Sequence, residues 1–167
     1  ADSLLALKKS VLVNDAVILS TCNRTEIYCS SVSNPQALSN WLAHHHDMSP
    51  ESLSSHLYMH QGEESVKHVF RVASGIDSMV LGEPQIFGQL KEAVSIAEKA
   101  GTLNGALRKF FHHAFSVGKK IRSETNIGVN SLSLGHVILQ LMRKKIQEFS
   151  RANILILGAG EVIESIV

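Results

Sequence analysis

The chain has 167 residues, 44% of them hydrophobic and 19% charged, with a formal net charge of +1, enough for one good core and an appended piece of a second. That near-neutral balance argues against a surface coated in cations for non-specific nucleic-acid binding, while leaving room for a local RNA-facing patch. No apolar run approaches the roughly 18 residues of a membrane span and the start has no signal-peptide organisation; Cys22 and Cys29 form neither a disulfide framework nor a CxxC element, so reduced thiols in a cytoplasmic protein are expected.

Hydrophobic spacing predicts a short helix over residues 3–10 and a buried strand over 16–20. The polar turn TCNR follows. Residues 25–32 read as a second strand with Ile27 and Cys29 on one face and Glu26 and Tyr28 on the other, which makes Cys29 a core thiol. Residues 35–46 read as a helix ending in His44, His45 and His46; adjacent helical residues diverge, so these form a helix end and no metal site is expected. A strand is expected over 55–61 and a helix over 63–74, with Val66, Val69, Phe70 and Ala73 inward and Gly75 as its stop. Pro84 suits the first turn of the next helix, whose Ile86, Phe87, Leu90, Ala93, Val94 and Ala97 follow the helical period until Gly101.

A longer helix over 104–124 carries Leu107, Phe110, Phe111, Ala114, Phe115, Gly118 and Ile121 along one stripe. After the break at NIGVNSLS, Ser131 is placed to cap a helix running to about residue 149. Residues 153–157 form a short apolar run before GAGEVI, which has the look of a first Rossmann strand and its phosphate-binding turn, with Ile163 at the third glycine position as a departure from the fingerprint.

A thiol delivered into a polar turn is accessible, and Arg24 two residues beyond Cys22 supplies a charge that would favour the thiolate. An ordinary cysteine in a hairpin loop is the plainer alternative. His68 lies beside the apolar stripe of its helix, where it is open to a proton-transfer or an orienting role. Arg108, Lys109, Lys119, Lys120 and Arg122 run without an acid until Glu124 and could meet RNA phosphates, with a solvated helix face as the plainer alternative for each. Arg143, Lys144 and Lys145 complement a helix dipole.

The wording of TCNRTE at residues 21–26, taken with GIDSMVLGEPQIFGQLK at 75–91, resembles the glutamyl-tRNA reductase family, NADPH-dependent enzymes that open tetrapyrrole (haem) synthesis. The resemblance covers essentially the whole chain. It implies an α+β catalytic, glutamyl-tRNA-binding domain over 1–128, with a small mostly antiparallel sheet and packed helices. A connecting helix over 129–150 and the first strand and turn of a truncated NADPH-binding Rossmann domain over 151–167 would follow. Family members carry a further strand-bearing segment before the position of Ala1, and continue past Val167 into the rest of the NADPH domain and a dimerisation domain.

Carried over by residue, the resemblance makes Cys22 the nucleophile that accepts glutamate from tRNA as a thioester, which NADPH then reduces to glutamate-1-semialdehyde. Arg24 would grip the glutamate carboxylate, with Thr21 and Asn23 completing that segment. Ser78, Glu83, Pro84, Gln85 and Gln89 would be the other substrate contacts, gathered near one helix start where free amides meet an anion. His68 would lie near the reacting centre, and Gly158, Ala159, Gly160, Glu161, Val162 and Ile163 would hold NADPH. Implied partners are glutamyl-tRNA, the aminotransferase acting on glutamate-1-semialdehyde, and a second copy of the enzyme. The fragment itself is expected to hold NADPH poorly and to be unable to reduce alone. Two other readings stay open: a tRNA-binding module without activity, and an unrelated thiol-dependent nicotinamide aldehyde dehydrogenase.

Overall fold

The computed structural model of the chain describes residues 1–30, 34–127 and 134–158. Its sheet is a hairpin of β1 (Asp15–Ser20) and β2 (Thr25–Ser30), paired antiparallel from Asp15 opposite Ser30 to Ser20 opposite Thr25. The second edge of β1 is closed by Thr102. Ala16 donates its N–H to the Thr102 carbonyl at 2.8 Å, and the Thr102 hydroxyl donates to the Ala16 carbonyl at 3.1 Å. Ala16 on one face of β1 and Val17 and Leu19 on the other are all fully buried, so apolar residues are needed in succession there rather than in alternation.

The helices are α1 (Asp2–Val11), α2 (Pro35–His45), α3 (Pro50–Ser54), α4 (Glu63–Ser74), α5 (Gln85–Lys99), α6 (Gly105–Glu124) and α7 (Leu134–Lys145); α1 and α5 pack on β1, and α4 and α6 pack with α5. Leu7 of α1, Val72 of α4, Leu90 of α5 and Phe111 of α6 are fully buried in one cluster with β1, each at an apolar position of the helical period. α4 and α6 approach closely because Gly118 has no side chain: a Cβ there would lie 2.8 Å from the Ala73 carbonyl oxygen. Phe111 meets the edge of Tyr28 with ring centroids 5.4 Å apart, tying α6 to β2. Among the described residues no helix is long and apolar enough to cross a membrane.

Several expectations are corrected. The strand foreseen over 55–61 does not form: Ser49, accepting from the Ser52 N–H at 3.2 Å, caps α3, with Pro50 at its first turn, and residues 57–61 then run on without strand pairing. Val66, expected inward, is 37% exposed, because the buried stripe of α4 is Val69, Val72 and Ala73. β2 ends at Ser30, and its remaining expected residues lie outside the described ones. Ile27 and Cys29 pack against the core as expected, but the most buried side chain of β2 is Glu26 on the opposite face, so both faces are covered.

The expected connecting helix is shorter than foreseen, since α7 stops at Lys145 and a 3₁₀ turn follows at Phe149–Arg151; its expected cap, Ser131, lies outside the described residues. Residues 153–157 form no strand, and Leu155 and Leu157 are each 83% exposed. A strand needs a neighbour to bond its backbone; the described residues provide none here. The architecture is therefore a small α+β fold built on a two-stranded antiparallel sheet, without a Rossmann start among the described residues.

Candidate active site

The turn between β1 and β2 is organised by one hydroxyl. Thr21 Oγ1 accepts from the backbone N–H of Asn23 at 3.2 Å and of Arg24 at 3.1 Å, and donates to the Arg24 carbonyl at 3.3 Å, while the Thr21 N–H donates to that same carbonyl at 2.9 Å. Threonine suits such a turn because its side chain takes amides the chain reversal leaves unpaired. Cys22 and Asn23 are thereby held exposed at the tip. The Cys22 thiol is free in solvent, whereas burial pushes the Cys29 thiol up to about 11.

A second loop faces the turn. It opens where Gly75, at φ 76°, ends α4, and closes where the Gly82 N–H donates to the Gly75 carbonyl at 2.9 Å. Gly82 has φ 78°, and a Cβ there would lie 2.3 Å from the Ile127 carbonyl oxygen. Arg122 of α6 fastens this closure from outside, donating to the Glu83 carbonyl at 3.1 Å and the Gly82 carbonyl at 3.0 Å. Thr21, Cys22, Asn23 and Arg24 then line one small cleft together with Ser78, Glu83, Gln85 and Gln89. Pro84, from the same expected set, is not in the lining; it is exposed at the N-cap of α5.

Behind the cleft lies a buried carboxylate that sequence reasoning passed over. Glu26 Oε1 accepts from Arg24 Nη1 at 2.9 Å and Tyr58 Oη at 2.7 Å; Oε2 accepts from His68 Nε2 at 3.0 Å and from the Tyr28 hydroxyl. Burial alone would raise its carboxyl, but the bonds from His68, Tyr28 and Tyr58 outweigh that and hold it at about 2. Both tyrosine hydroxyls are pushed up, first by burial and then by the carboxylate they serve. Arg24 Nη1 also holds Asp77 at 2.9 Å and its Nη2 donates to the Asp77 carbonyl. Although burial works against its charge, these partners raise the guanidinium further.

This geometry revises two expectations. The Arg24 charge is offset by two carboxylates instead of standing free beside Cys22. His68 does not line the Cys22 cleft; with Glu26, Tyr58 and His60 it lines a separate cavity of about 460 Å³, and it connects to the turn through Glu26 and Arg24. The one local hint of the cluster was Tyr28 sharing a strand face with Glu26. Tyr58 and Asp77 reach it over sequence separations of 32 and 53, for which no local signal exists.

Of the expected RNA-facing stripe, Arg122 is committed to the loop closure and Arg108 to Glu98 at 2.6 Å, leaving Lys109, Lys119 and Lys120 exposed. Of the six residues expected to hold NADPH, only Gly158 is described; Ala159, Gly160, Glu161, Val162 and Ile163 lie outside the described residues. Residues 153–157, which precede them, are without strand pairing.

The family model for the N-terminal domain of glutamyl-tRNAGlu reductase matches residues 1–125. The glutamyl-tRNA reductase of Legionella pneumophila (strain Corby) is 48% identical over 149 residues, covering 89% of this chain and 35% of its own length. That of Alcanivorax borkumensis is 44% identical over 162 residues, covering 97% and 39%. Among solved structures, the glutamyl-tRNA reductase from Methanopyrus kandleri superposes with a TM-score of 0.67 at 30% identity, over 99% of this chain and 39% of that one. The chain thus spans rather more than a third of the length of these relatives.

Proposed function

This chain belongs to the glutamyl-tRNA reductase family, and from that premise we propose that it carries the glutamyl-accepting half of the enzyme, the opening step of tetrapyrrole synthesis, with Cys22 as acyl acceptor. The observation that supports this is the exposed Cys22 thiol at the tip of the Thr21-organised turn, in one cleft with Ser78, Glu83, Gln85 and Gln89. An aminoacyl ester is already an acyl donor. The Cys22 thiolate attacks its carbonyl carbon, the new C–S bond replaces the C–O bond to the tRNA ribose, and the departing ribose oxygen takes up a proton.

The glutamate side chain enters as an anion. Arg24 grips it by exchanging a carboxylate it already holds: Asp77, whose side chain is 30% exposed, is the displaceable one, and Glu26, at 5%, is not. Ser78, Gln85, Gln89 and the uncapped first amides of α5 supply the remaining donors. His68 serves the same reaction as an acid–base or orienting group, connected to the turn through Glu26. Reduction belongs to NADPH, which the resemblance assigns to residues outside this cleft.

Incubating the protein with glutamyl-tRNA labelled in its glutamate, quenching in acid and mapping the peptides tests the reading. The label should sit on the Cys22 peptide and vanish in Cys22→Ser. Equal labelling of Cys22→Ser overturns the assignment, and equal retention of charged and uncharged tRNA without any transfer favours a binding module instead.

A further inference from the structure

We propose that Glu26 is a positioning residue that fixes the His68 imidazole in one tautomer and couples that ring to the turn bearing Cys22. Its side chain is 5% exposed, and both oxygens are fully engaged: Oε1 by Arg24 and Tyr58, Oε2 by Tyr28 and His68. An ionised carboxylate can only accept hydrogen bonds, so His68 must present a proton at Nε2, and in the neutral ring the lone pair then lies on Nδ1. Nδ1 has no hydrogen-bond partner among the described residues. It is the ring's proton acceptor.

The titratable groups beside the ring come from β2 and from the segment before α4, while α6 lines the same cavity with Leu107 and Phe110. β2 gives Glu26 and Tyr28, and the segment before α4 gives Tyr58 and His60, with ring centroids 5.5 and 4.9 Å from His68. Beyond them stand Arg24 and, through it, Asp77. Because Arg24 Nη1 bonds Glu26 directly, the carboxylate has the imidazole on one oxygen and the residue two beyond Cys22 on the other. A carboxylate placed behind an imidazole sets ring orientation and stabilises a proton taken up on the far nitrogen.

The catalytic consequence rests on the reading of Cys22 and His68 given above; the tautomer stands on geometry alone. Ring ¹⁵N shifts of His68 in the wild-type chain, followed upward in pH until the ring is neutral, test the tautomer without any substitution. The expected spectrum has a protonated Nε2, with its proton protected from exchange, and an unprotonated Nδ1. A protonated Nδ1, or a ring averaging between tautomers, overturns the proposal.

In the intact enzyme, Glu26→Gln should lower kcat for thioester formation about tenfold or more, with KM for glutamyl-tRNA little changed, and its His68 ring should average between tautomers. Wild-type kcat in a folded Glu26→Gln enzyme overturns the coupling. If wild-type protein forms no thioester while the ring shifts are as expected, the functional reading has failed and the positioning role of Glu26 remains. Should Glu26→Gln not fold, the wild-type ring shifts still decide the tautomer, and Tyr58→Phe, which removes one support of the carboxylate, replaces it in the kinetic comparison with the same direction expected.

Discussion

The hydroxyl of Thr21 takes the backbone N–H of Arg24 at 3.1 Å, so the side chain of one residue stands in for a carbonyl in closing the hairpin that presents Cys22. Ser20 and Thr25 are the last paired residues of the strands, and between them that oxygen holds the Asn23 and Arg24 amides beside the backbone bond from the Thr21 N–H to the Arg24 carbonyl. Valine has nearly the same shape and no hydroxyl. Thr21→Val should therefore cost about 1 kcal/mol of stability and speed amide exchange at Asn23 and Arg24, while Thr21→Ser keeps both near wild type. Unchanged exchange in Thr21→Val would remove the turn from Thr21's control.

The two cysteines should separate cleanly by alkylation. With Cys29 pushed up to about 11 by burial, only about one Cys29 in a thousand is thiolate at pH 8, and its side chain is half-buried. Cys22 is exposed. Iodoacetamide followed by peptide mapping should label Cys22 first, and Cys29 only when denaturant opens the core. Preferential labelling of Cys29 in the native protein would contradict both its burial and the role given to Cys22.

Glu26 makes stability depend on acid. Its carboxyl is held at about 2 in the folded chain against an ordinary value of 4.5. A depressed acid stabilises the fold above its unfolded value, and that stabilisation is lost as pH falls from about 4.5 towards 2, amounting to about 3 kcal/mol for one such group. Denaturant midpoints should stay level from neutral pH to about 5 and then fall steeply. In Glu26→Gln the steep part should shrink; an identical profile would place the acid sensitivity in other carboxylates.

What could be read in advance was whatever repeats locally. The α5 stripe of Ile86, Leu90, Ala93, Val94 and Ala97 is buried as its period requires, Gly75 ends α4 in the left-handed region, and the TCNR turn lies between two strands. Residues 57–61 have the composition of a strand, yet pairing depends on a neighbour, and neither composition nor alternation encodes one. The Glu26 cluster was hidden for a related reason. A glutamate in a strand reads as solvent-facing until Tyr58, His68 and Asp77 arrive from segments 32 to 53 residues away.

Two glycines allow a paired test of how the loop facing Cys22 is held. Gly82 lies at φ 78° and packs so tightly on Ile127 that a Cβ would come within 2.3 Å of a backbone oxygen, whereas a Cβ at Gly88, inside α5, would meet nothing within 4 Å. Gly82→Ala has both backbone strain and a clash that a flexible side chain cannot relieve, and should destabilise by roughly 2 kcal/mol or more. Gly88→Ala only gains helix propensity and should stabilise by up to about 1 kcal/mol. Because Arg122 fastens the Gly82 and Glu83 carbonyls, the first substitution should also slow Cys22 acylation in whatever fraction remains folded, and the second should leave it unchanged. Denaturant midpoints for the two variants, read beside the acylation rate, check both halves; an unperturbed midpoint for Gly82→Ala would mean that the loop closes some other way.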